Sequence, residues 1–85
     1  MHVKIEDWEN GWSGISVGLD PDEIDHFIEL LKMIKDDPDQ HFHISSDYEG
    51  TGGVGDIEIS IRSESEEHNM DFSGPALAPG ESIDI

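Results

Sequence analysis

His41 and His43 are the first residues in this chain whose type and spacing could do chemistry. Two imidazoles at i and i+2 on a strand leave from the same face, a geometry that can ligate zinc, nickel or copper. Asp47, His2 and His68 are the side chains considered for further ligands. A catalytic zinc needs three protein ligands, and none of these has diagnostic spacing. His41 and His43 therefore stand as weak metal candidates, and no cofactor is assigned. The same pair titrates in the range suited to acid–base hydrolysis of a phosphodiester. Such a site must also stabilise a pentavalent phosphate with lysine or arginine, and Arg62 is the only nearby cation on the expected sheet face.

Other chemistries are poorly served. The run Gly50-Thr51-Gly52-Gly53-Val54-Gly55 superficially resembles a phosphate-cradling loop, but it leads into a strand pattern and carries no lysine. It reads as a hairpin loop whose glycines supply positive φ. The carboxylates around Asp20 and Asp36 lack the central glycine and distal glutamate of a calcium loop. No serine sits in a nucleophile elbow, and the absence of cysteine removes thiolate chemistry and disulfides. The chain does not read as an enzyme.

The elements that must position these residues follow from hydrophobic phase. Val3 and Ile5 alternate with polar neighbours, as do Ile15 and Val17, Phe42 and Ile44, and Ile57, Ile59 and Ile61. Period-two alternation of this kind predicts strands near 2–7, 14–19, 40–46 and 56–63. Asn10-Gly11 predicts the first turn. Between the second and third strands, Asp20-Pro21-Asp22-Glu23 supplies a cap, a proline at the first helical position and a glutamate closing a capping box. Ile24, Phe27, Ile28, Leu31 and Ile34 then form one helical stripe that ends before Asp36-Asp37-Pro38. Ser82-Ile83-Asp84-Ile85 and Met70-Asp71-Phe72 offer further edge strands.

The expected fold is thus a single two-layer α+β domain, with one helix on a mostly antiparallel sheet of four to five strands in the order β-β-α-β-β. The acidic, glycine- and proline-containing stretch at 63–81 is expected to be partly flexible. The uncovered sheet face would present His2, Lys4, Glu6, Ser16, His41, His43, Ser45, Glu58, Ser60 and Arg62 as one surface.

Charge is the most unusual property of the chain. Four basic side chains face 21 acidic ones, a formal net charge of −17. Residues 1–35 hold 8 acids and 3 lysines, whereas residues 36–85 hold 13 acids and Arg62 alone. A surface of this sign argues against nucleic acid and anionic lipid as partners. No apolar run approaches the ~20 residues of a membrane span, and the N-terminal sequence lacks secretory character. The expected location is cytoplasmic. Dense negative charge attracts a basic partner and speeds encounter, although solubility alone is a competing role.

The acidity, the small size, the capped helix and the succession His41-Phe42-His43-Ile44 … Gly52-Gly53-Val54-Gly55-Asp56-Ile57-Glu58-Ile59 resemble small bacterial immunity proteins of polymorphic or contact-dependent toxin systems. That resemblance implies a non-enzymatic protein that binds a cognate toxin, frequently a nuclease, and neutralises it. The expected contact residues are Asp47, Glu49, Asp56, Glu58, Glu64, Glu66 and Glu67, with Tyr48, Trp8 and Trp12 as anchors. Two other readings are a nucleic-acid mimic that inhibits a restriction or RNA-guided nuclease, and a metal-binding or hydrolytic domain built on His41 and His43. The oligomeric state is not set by the sequence.

Overall fold

The computed structural model describes residues 1–74. Its elements run β1 (His2–Asp7), β2 (Ser13–Gly18), α1 (Pro21–Asp36), β3 (His41–Ser45) and β4 (Asp56–Ser60). The element order agrees with the alternation of the sequence, with shorter third and fourth strands. Residues 70–72 form no strand. The further strand expected at 82–85 lies outside the described residues.

The single sheet of four to five strands is not what forms. The strands make two separate antiparallel pairs, β1 with β2 and β3 with β4. Alternation specifies which side chains share a face, but says nothing about which strand edge lies beside which. Turn signals join neighbours in sequence, so they determine the two hairpins and leave their lateral association open. The expected polar face is split accordingly. Lys4 opposes Ser16 in one hairpin, while His43 opposes Glu58 in the other.

The β1–β2 turn is built from short local bonds. Trp8 donates its amide to the Trp12 carbonyl at 3.0 Å, and the Asn10 side chain accepts the Trp12 amide at 3.0 Å. Gly11 takes φ 94°, a conformation that most side chains avoid. The wider β3–β4 loop closes with Ser46 donating to Gly55 O at 2.9 Å.

At the start of α1, the Asp20 amide donates to the Glu23 carboxylate at 2.9 Å, as the capping motif requires. Glu23 also receives the Met1 ammonium at 2.8 Å, tying the beginning of β1 to the helix. Further along, Phe27 meets Phe42 of β3 edge to face, with ring centroids 5.9 Å apart. Such an aromatic pair contributes about 0.5–1.5 kcal/mol beyond its area burial.

The helix packs along one edge of the stripe the periodicity suggested, keeping Phe27 and Ile34 and adding Leu30. Ile34 is the one buried hydrophobe among the described residues, at 5% exposure. Phe27 and Leu30 are half-buried, whereas Ile24, Ile28 and Leu31 are exposed. At ~100° per residue, Phe27, Leu30 and Ile34 share one line, and Ile24, Ile28 and Leu31 lie about 90° around from it. The core is therefore small and runs from Ile34 through Leu30 and Phe27 toward the apolar face of β3–β4.

Candidate functional site

The polar face of the β3–β4 hairpin brings most of the chemistry together. His41, His43 and Ser45 alternate along β3, opposite Ser60, Glu58 and Asp56 respectively. Phe42, Ile44, Ile57 and Ile59 occupy the other face and are half-buried. The hydrophobic contacts of one face thus orient the polar side chains of the other toward solvent.

On that face, His43 Nδ1 lies 2.9 Å from Asp56 Oδ2, and the other oxygen of Asp56 accepts the Ser45 hydroxyl at 2.8 Å. The hydrogen bond to Asp56 is the main cause that raises the pKa of His43 above its ordinary value; the charges of Asp56 and Glu58 act in the same direction. The Asp56 carboxyl is lowered in turn, first by His43 and then by Ser45. Glu58 Oε1 lies 3.7 Å from His41 Nε2 and 3.9 Å from His43 Nε2. The two imidazoles sit 5.0 Å apart, nearly perpendicular to one another. All these side chains are solvent-exposed.

The residues chosen from sequence as partner contacts fall in three places. Asp47, Tyr48 and Glu49 project from the β3–β4 loop, with Tyr48 71% exposed. Tyr48 has φ 59°, its amide donates to the Ser46 hydroxyl oxygen at 2.9 Å, and its ring lies against Gly55. Asp56 and Glu58 belong instead to the histidine network. Glu64, Glu66 and Glu67 follow β4, where Arg62 donates to the carbonyls of Ser63 and Glu66 and holds the turn. The sole arginine is thus engaged with backbone oxygens rather than carboxylates.

Trp8 and Trp12 stand in the β1–β2 turn, 54% and 73% exposed, with the Trp8 ring lying over Gly14. The opposite end of β1 is the one that meets the β3–β4 loop, across a cleft lined by Met1, Val3, Ile44, Val54 and Ile57. From Val3 to Trp8, an extended chain advances about 16 Å. The tryptophans and Tyr48 therefore do not stand side by side on this chain.

The place of Glu58 beside both histidines was missed by sequence reasoning, which looked to Asp47, His2 or His68 as their companions. The register pairs His43 with Glu58 across the hairpin. Ten residues separate Ser45 from Asp56, so no tight-turn rule gives that register in advance. Among the described residues, His41, His43 and Glu58 form the one cluster of metal-ligating type, with their ligand atoms all within 4.8 Å of one another. No helix of the described residues is long and apolar enough to cross a membrane.

Comparison of the chain with protein-family models, curated proteins and solved structures finds no match in any of the three.

Proposed function

We propose that this protein is a non-enzymatic immunity protein of the cytoplasm that neutralises a basic toxin domain, a nuclease, by stoichiometric binding. The observation that supports the reading is the state of its own cations. Among the described residues, ion pairs involve only the Met1 ammonium and the two histidines, with no lysine or arginine beside a carboxylate. Apart from Glu23, Asp56 and Glu58, the acids of the described residues thus have no cationic partner within the chain, and a cationic substrate cleft is the surface their field complements best.

Asp47 and Glu49, on an exposed loop beside Tyr48, are the acids best placed to meet such a cleft. Glu64, Glu66 and Glu67 extend the same charge beyond β4. Trp8 and Trp12 provide a separate apolar contact at the far end of β1. The experiment is binding of the full chain to basic nuclease toxin domains, measured at several salt concentrations. The triple reversal Asp47→Lys, Glu49→Lys and Glu66→Lys is expected to weaken association at least tenfold and to flatten its salt dependence. Unchanged affinity and unchanged protection of the host cell would leave solubility as the role of the charge.

A further inference from the structure

We propose that His41, His43 and Glu58 form a binding site for a divalent transition-metal ion of the zinc, nickel and copper class, with Asp56 as the residue that positions His43. The inference is independent of the toxin-binding reading. It uses a different group of side chains and requires no partner.

The case begins with backbone constraint. His41 and His43 are fixed to one face of β3 by strand alternation, and Glu58 is fixed opposite His43 by the ladder. Three side chains therefore converge from two paired strands, none of them carried on a loop. Around a tetrahedral ion with bonds near 2.0–2.1 Å, donor atoms stand about 3.3 Å apart. The two separations from Glu58 Oε1, 3.7 and 3.9 Å, already approach that value. The ligand atoms of all three lie within 4.8 Å of one another, and rotation of exposed side chains is the movement that would close the remainder.

The second observation is the orientation of His43. Its Nδ1 faces Asp56 at 2.9 Å, so the Nδ1–H tautomer directs the lone pair of Nε2 toward Glu58 and His41. A carboxylate behind a ligating imidazole fixes its tautomer and strengthens it as a donor. Asp56 is itself held by Ser45 at 2.8 Å, which extends the support one step further back. A purely electrostatic His–Glu contact needs no such arrangement behind it.

The donor set decides the class of ion. Two imidazole nitrogens and one carboxylate oxygen suit zinc, nickel and copper, while magnesium and calcium prefer all-oxygen shells. Three protein ligands leave a coordination position for water.

The test is zinc titration of the full-length protein by calorimetry near neutral pH, with cobalt absorption as a report on coordination geometry. His41→Ala and His43→Ala are each expected to lower zinc affinity at least thirtyfold. Glu58→Gln, which removes a ligand oxygen charge, should lower it at least tenfold, and Asp56→Asn about 10–100-fold, the range typical when a supporting group around a metal is lost. His26→Ala should leave it within about threefold. Circular dichroism checks that each variant remains folded; for any that does not, His41→Gln or His43→Gln replaces the alanine. The proposal is overturned if the His41/His43 double variant binds zinc as the native chain does, or if excess magnesium displaces the zinc, since either result means diffuse binding to carboxylates.

Discussion

The two hairpins carry the same kind of sequence pattern and meet very different fates. In β1–β2, Val3 faces Val17 and Ile5 faces Ile15, so the apolar side chains share one face as the alternation requires. Yet Ile5, Ile15 and Val17 are 54%, 62% and 45% exposed. In β3–β4, Phe42 faces Ile59 and Ile44 faces Ile57, and all four are half-buried. The difference lies in the helix. Phe27 reaches Phe42, while the ion pair of Met1 and Glu23 ties the start of the first hairpin to α1. A strand pattern supplies an apolar face; only a neighbouring element removes that face from water.

The sharpest way to break this comparison is to delete apolar groups from both sides of it. Ile34→Ala should destabilise the fold by about 2–4 kcal/mol, as for buried aliphatic side chains generally. Phe42→Ala should cost about 2 kcal/mol, reduced from a fully buried phenylalanine because the ring is only half-buried. Ile15→Ala, on the exposed hairpin, should cost less than about 1 kcal/mol. Urea unfolding measures all three, and an Ile15 effect equal to that of Phe42 would contradict the assignment of the core.

A smaller effect separates the charged tie from the aromatic one. The Met1 ammonium has its pKa raised from 8.0, chiefly by its hydrogen bond to Glu23. Glu23 is lowered from 4.5, first by that same bond and then by the Asp20 amide. A raised ammonium stabilises fully below 8.0 and loses its contribution as pH rises through the shifted value. A lowered carboxyl stabilises fully above 4.5 and loses its contribution as pH falls through the shifted value. Both contributions are present between 4.5 and 8.0. The stability difference between native protein and Glu23→Gln should be largest in that window and decline outside it. A difference that does not vary with pH would assign Glu23 to helix capping by geometry alone.

The smallest expected change concerns the turn of the first hairpin. A Cβ at Gly14 would stand 2.9 Å from Trp8 Cζ2. Because that ring is an exposed side chain and not backbone, Gly14→Ala should displace it at a stability cost within about 0.5 kcal/mol. Tryptophan emission should shift while the unfolding midpoint hardly moves. A large loss of stability would show that the Trp8 ring is a packing element of the hairpin.

Much of the local structure was legible in the residues themselves. Asp20, Pro21 and Glu23 mark the helix start because capping acts within one turn, and Asn10-Gly11 marks the first hairpin because tight turns demand particular backbone angles. The alternation of His41, Phe42, His43 and Ile44 assigns the histidines to one face for the same local reason. Leu30 was not legible as a core residue: an apolar helix surface broader than its contact does not reveal which line of it will be buried. Nor was Glu58 legible as the companion of His43, since a long loop leaves register undetermined by the turn.

The sequence by itself therefore determined the elements, their faces and the density of negative charge, all of which follow from interactions among residues close in the chain. Tertiary structure decided that the strands form two hairpins instead of one sheet, that α1 packs along Phe27, Leu30 and Ile34, and that two histidines share a glutamate from the opposite strand. The first rests on which strand edges stay apart, and the other two on contacts between residues distant in sequence. Their free energy depends on which surfaces meet, and hydrophobic periodicity leaves that choice open.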